Sequence, residues 1–221
     1  MQARNIICHC AVVTLLQVGL MISPAQVENP TANDSCDATN RVALVTTLTA
    51  EKVRDLPPIT RAYLTAGTNK FSFLIPRGFR LDAASDDKIV MTAKDLGTFI
   101  ELRRFDALEF TPNSTNRSAA SRVYRKLLLQ EHAEARIRSE FSRTAADRRG
   151  LGYDFDWHLT GSVVQSARAV FIPTDAGIFQ FKLVTKPKNF RAATYKLNNL
   201  LLSFCASKDG QLDVAHLSSK L

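Results

Sequence analysis

The residue types and spacings that carry chemistry gather in one stretch. Asp154, Asp156 and His158 occupy every second position among Tyr153, Phe155, Trp157 and Leu159. Alternation of this kind describes a half-buried strand with one aromatic and one polar face. Carboxylate oxygens and imidazole nitrogens are ligand types for metal ions. The polar face is therefore the candidate site for a metal or small ligand. Geometry weighs against a single ion bound by all three. Alternate residues on a strand stand ~6–7 Å apart, so the set spans ~13 Å and only two adjacent side chains converge readily. A solvated polar face on an antiparallel sheet accounts for the same residues without any ligand.

Nucleophilic catalysis needs a Ser, Cys or Thr beside a base. Beyond the apolar leader the histidines are His132, His158 and His216. None lies in G-x-S-x-G, H-E-x-x-H, G-x-x-x-x-G-K or C-x-x-C. The expectation is a non-enzyme without a cofactor.

Charge offers a different chemistry. The chain carries 29 Lys and Arg against 21 Asp and Glu, a formal net charge of +8. Nine cations and four acids fall between Arg117 and Arg149. Arg122, Arg125 and Lys126 share one face of an expected helix. Their plain role is to solvate the helix back. Their sharper role is to dock an anionic partner: a lipid headgroup surface, an acidic protein or an envelope polymer. Nucleic acid is not expected, because the aromatic residues fall at core positions rather than on a stacking platform.

The N-terminus points to export. One cation, Arg4, precedes an almost apolar run from Ile6 to Ile22, followed by Ser23-Pro24-Ala25. This is the layout of a secretory signal, with cleavage expected after Ala25 and a secreted or periplasmic product. The alternative is an uncleaved membrane anchor, for which the run is short and interrupted by His9 and Gln17. Cleavage leaves Cys36 and Cys205, a candidate disulfide in an oxidising compartment. So long a loop would contribute about 5 kcal/mol in the chain-entropy account. The alternative is two unrelated thiols. Three glycosylation sequons begin at Asn33, Asn113 and Asn116.

These residues must be positioned by a chain that is 45% hydrophobic and 23% charged, ordinary values for one globular domain. Residues 26–40 read as a polar linker. Residues 41–67 form an N-terminal extension, in which Val42, Leu44 and Val45 favour a strand and Thr49 to Arg54 one or two helical turns. Three strands are expected at Phe71–Ile75, Ile89–Met91 and Thr98–Phe105. A helix starts near Asn116 or Ser118 and ends before Ile137, with Ala120, Val123, Leu127 and Leu128 on its apolar side. Ile137–Thr144 is expected as a strand, and Arg148-Arg149-Gly150 as a turn. Beyond Tyr153–Leu159, the strand Val163–Ile172 turns through Thr174-Asp175-Ala176-Gly177 into Ile178–Thr185. A last helix after Pro187 aligns Phe190, Ala193, Leu197, Leu200, Leu201 and Phe204. Residues 207–221 read as a polar tail. Adjacent strands with few helices argue an α+β domain over 41–206: an antiparallel sheet of six to seven strands with two helices packed on it, an α/β/α sandwich.

Three segments carry a family likeness. Phe71-Ser72-Phe73-Leu74-Ile75-Pro76-Arg77-Gly78-Phe79 resembles the opening strand of the PsbP-like fold, F-x-x-P-x-G-W/F, with Phe79 where many members have Trp. The hairpin from Ala167 to Thr185 resembles that family's late hairpin, and Phe190 to Phe204 its closing helix. The likeness covers residues 68–206, and residues 41–67 have no counterpart in it. The family is shared by the photosystem protein PsbP, a Ran-binding import factor and many exported bacterial proteins. The resemblance implies docking or assembly rather than catalysis. It supplies no catalytic residues and no metal ligands at matching positions, and fold alone is poor evidence of function.

Overall fold

The computed structural model describes residues 44–51, 58–94, 97–106, 117–159 and 163–207. The expected signal, the linker, Cys36, all three sequon asparagines, Lys52 to Arg54 and the tail beyond Ser207 lie outside them.

Six strands come first: β1 (Leu44–Glu51), β2 (Ile59–Ala66), β3 (Asn69–Leu74), β4 (Phe79–Ala84), β5 (Lys88–Ala93) and β6 (Phe99–Phe105). Helix α1 (Arg117–Glu131) follows, then β7 (Arg136–Ala145), β8 (Arg148–Leu159), β9 (Val163–Thr174) and β10 (Gly177–Thr185). A short 3-10 turn (Pro187–Asn189) leads into α2 (Phe190–Ser203) and β11 (Cys205–Ser207). Two sheets result, with strand orders β1-β2-β3-β11 and β4-β5-β6-β10-β9-β8-β7. Their pairings are antiparallel.

The α+β class stands, but the sheet structure is more extensive than a single sheet of six to seven strands. Residues 59–66 supply Ala62, Leu64 and Ala66 to the core at period two, immediately after the proline pair. Thr49 to Glu51, expected as helix, end β1 and pair with Arg61 to Ile59. Here cross-strand pairing overrides a short stretch of helical propensity. Phe79 to Ala84, unassigned in the sequence, form β4 after a turn in which Gly78 takes φ 87° and the Phe79 amide donates to the Pro76 carbonyl.

The expected turn at Arg148-Arg149-Gly150 is also corrected. Those residues open β8, and the chain reverses at Ala146 and Asp147, with φ 48° and 57°. Tertiary contact selects this register. The Ala146 amide donates to the Phe204 carbonyl at 3.1 Å, and a Cβ on Gly150 would stand 2.0 Å from the Phe171 carbonyl oxygen. Gly150 is thus a strand residue chosen for close approach, not a turn former.

Two cores lie on opposite faces of the seven-stranded sheet. On one, Tyr124, Leu127 and Leu128 of α1 pack on Tyr153, Phe155, Trp157 and Phe171. On the other, α2 and the four-stranded sheet cover Ile100, Leu102, Val170, Phe179, Phe181 and Leu183. The expected sandwich therefore keeps a helix on each face, but the second helix shares its layer with a sheet. Strand β10 is buried along its whole length, because it pairs on both sides and is covered on both faces.

A candidate docking face and the polar clusters behind it

Helix α1 forms where the apolar residues recur every three to four positions, and it buries that stripe. The opposite side presents Arg122, Arg125 and Lys126 to solvent, with Leu129 next along the same face, 41% exposed. Among the described residues, no carboxylate pairs with these three cations. The neighbouring cation on the helix is different. Arg117 stands 3.6 Å from Glu140, which also accepts from Ser121 at 2.6 Å. The sequence-derived triad is therefore brought together on one exposed surface.

The helix is set on the sheet by an ionic cluster that the sequence reading missed. Lys182 Nζ lies 2.9 Å from Glu131 Oε2 and 3.3 Å from Glu101 Oε1, and its side chain is only 8% exposed. Arg103 donates to the other Glu131 oxygen at 3.0 Å. Burial opposes ionisation of Glu131, but Lys182, Arg103 and His132 outweigh it and hold the carboxyl below its ordinary range. His132 follows the helix and lies against Trp157, with ring centroids 4.4 Å apart. Burial, followed by the charge of Lys182, pushes its imidazole below the usual value, against the pull of Glu131 and Glu101. Its Nε2 is buried with no hydrogen-bond partner among the described residues. Gln180, on the same sheet face as Lys182, is fully buried and its amide is likewise unpaired there. Nearer the start of α1, burial drives the Tyr124 hydroxyl up to about 12, with Tyr153 adding to the effect. The available signal for this cluster was Lys182 between Phe181 and Leu183, a charge in an otherwise apolar central strand.

Asp154, Asp156 and His158 do share one face of β8, as alternation required, and Trp157 is turned inward. That face looks toward α2 and is not simply solvated. Arg168 grips Asp154 with two bonds, at 2.7 and 2.8 Å, and Ser139 donates to the same carboxylate at 3.2 Å. Asp156 accepts from Ser166 at 2.5 Å and pairs with Arg138 at 3.1 Å. The Arg138 and Arg168 guanidinium groups lie over the Phe190 ring, at 4.7 and 5.8 Å, and Arg168 also covers Phe141 at 4.7 Å. Both carboxylates are thus committed to arginines that seat the start of α2. His158 is exposed. Among the described residues, no group of three or more His, Cys, Asp or Glu side chains is placed to hold a metal ion.

Cys205, on β11, is half-buried with its Sγ 3.1 Å from Ser72 Oγ, and it has no disulfide partner among the described residues, from which its expected partner Cys36 is absent. No helix among the described residues is long and apolar enough to cross a membrane.

The class defined by this architecture is an antiparallel α+β domain with helices on opposite faces of its larger sheet. No protein-family model matches the chain, and no curated protein matches it in sequence. Among solved structures it is similar to cyanobacterial PsbP of Synechocystis, at 13% identity and a TM-score of 0.48, over 79% of this chain and 98% of that one. It is also similar to LpqN, a protein involved in cell envelope biogenesis of Mycobacterium tuberculosis, at 9% identity and a TM-score of 0.41, over 75% and 92%. A Pseudomonas aeruginosa protein of unknown function gives 14% identity and a TM-score of 0.37, over 70% and 96%.

Proposed function

We propose that this chain is an exported, non-catalytic domain that docks onto an anionic envelope component through the outward face of α1. The observation that supports this reading is the contrast among the cations on and around α1. Arg117 and the adjoining Arg103 and Lys182 are tied to carboxylates, whereas Arg122, Arg125 and Lys126 are exposed and unpaired among the described residues. Cations held on a rigid helix, none of them in an ion pair among the described residues, give a local positive field that steers an anionic partner. The rival reading, a metal or small ligand held by Asp154, Asp156 and His158, has lost its two carboxylates to Arg168 and Arg138.

The test is association of the chain lacking residues 1–25 with an envelope extract, measured across a salt series. Binding is expected to weaken as salt rises. Replacing Arg122, Arg125 and Lys126 together by Ala should lower it by about tenfold, since exposed ion pairs contribute 0.2–1 kcal/mol each. Equal binding by the triple variant overturns the proposal.

A further inference from the structure

The other helix carries a second unpartnered face, on the opposite side of the seven-stranded sheet. Residues 186–207 hold four cations, Lys186, Lys188, Arg191 and Lys196, and no acid. All four are exposed, and among the described residues none is paired with a carboxylate. Three of them crowd the N-terminal end of α2, where the first turn has no acidic residue to complement the helix dipole. Cations at that end cost stability in the isolated protein. Solubility does not require them to stand there.

The same face carries Leu202, which at 72% is the most exposed large apolar side chain among the described residues, together with Tyr195 at 59%. They stand seven residues apart, so they lie on nearly the same line of the helix, ~10 Å from each other. Asn199 lies between them, also exposed. The buried stripe of Ala193, Leu197, Leu200 and Leu201 holds the helix to the core, so the outward side chains are not needed for packing.

A protein partner fits this surface poorly. Protein interfaces are depleted in Lys, and their centres are contiguous and well packed, whereas three of these four cations are Lys and the two apolar groups are separate outcrops. A lipid surface fits it well. Long cationic side chains reach diffuse phosphate charge, a tyrosine suits the headgroup boundary, and an isolated leucine buries itself in the acyl region without a shaped pocket. We infer that the outward face of α2 binds an anionic phospholipid surface, with Lys186, Lys188, Arg191 and Lys196 at the headgroups and Tyr195 and Leu202 inserted below them.

This inference does not depend on α1, and the experiment separates the two. The probe is a vesicle of equal parts phosphatidylglycerol and phosphatidylcholine, compared with phosphatidylcholine alone, using the chain lacking residues 1–25. Sedimentation should show binding to the anionic vesicles only. Each cation near such a surface is worth about fivefold in partitioning, so K188A with K196A should lower binding by about 30-fold. L202W should shift its emission to the blue on binding, against the constant background of buried Trp157, and the shift should persist when Arg122, Arg125 and Lys126 are Ala. Y195S with L202S should weaken binding at high salt as well as low. These positions are exposed, and thermal melts of each variant establish that folding is retained. Vesicle binding that leaves the L202W emission unchanged, or that is lost only in the α1 triple variant, overturns the inference. So does equal binding to a soluble anionic polymer, with the same loss on substitution and no response to vesicles.

Discussion

Replacing Lys182 by Met tests whether the buried ionic cluster holds α1 in place. The Lys182 ammonium is the shared partner of Glu131 and Glu101, at 2.9 and 3.3 Å, and those side chains are only 20% and 13% exposed. Methionine fills the space but leaves two poorly solvated carboxylates facing the same point, with Arg103 the remaining counter-charge for Glu131. Breaking a buried pair by removing one partner typically costs about 3–5 kcal/mol, a large share of a domain stability of about 5–15 kcal/mol. The loss should depend on pH in a definite sense. In the variant a glutamate has its folded-state pKa raised above the unfolded value. The penalty is then full at neutral pH and shrinks as pH falls toward about 4.3, where the unfolded carboxyl also takes up a proton. Urea unfolding followed by the single tryptophan, Trp157, at pH 7 and pH 5 measures both effects. Adding Glu101→Gln should recover about 1–3 kcal/mol, because Glu131 retains Arg103 while the second charge is gone. A loss below about 1 kcal/mol at pH 7, with wild-type dependence on pH, would falsify the view that these charges position the helix.

Four further outcomes can be measured. Because the folded-state pKa of His132 is lowered, the unfolded chain takes up the proton first on acidification. Stability should therefore decline below about pH 6.5, by at most ~1.4 kcal/mol per pH unit, and His132→Phe should flatten that decline while keeping the stack on Trp157. Glu131, whose pKa is also lowered, should contribute separately, its stabilisation being lost below about pH 4.3. The β7–β8 turn places Ala146 and Asp147 at positive φ, so Ala146→Asn with Asp147→Gly should raise stability by about 1–2 kcal/mol in thermal unfolding; no gain would mean that the contact to Phe204 already offsets the strain. Intact-mass analysis after alkylation, with and without reductant, should show Cys36 and Cys205 joined in exported protein, and two alkylated thiols without reductant would exclude the bond.

Period-two and period-3.6 hydrophobicity made the late strands and both helices legible. Tyr153 to Trp157 and the Ala193 to Leu201 stripe each need one face buried, whatever they pack against, so the pattern is written locally. The hairpin at Thr174 to Gly177 was equally plain, since its turn chemistry is local: the Thr174 hydroxyl accepts from the Ala176 amide and donates to the Gly177 carbonyl. The exposed set Arg122, Arg125 and Lys126 followed from the same helical period. What lay beyond sequence were features whose cause is a partner distant in the chain. Strand β1 exists because residues 59–66 pair with it, and Gly150 belongs to β8 because Phe171 crosses there. By alternation alone Asp154 and Asp156 read as a solvated polar face or as candidate ligands; their pairing with Arg168 and Arg138, on neighbouring strands, is visible only in the fold. Lys182, Glu101 and Glu131 meet only when β6, β10 and α1 are assembled. Periodicity records which side of an element avoids water, whereas the pairing of charges depends on which elements become neighbours, and only the folded chain determines that.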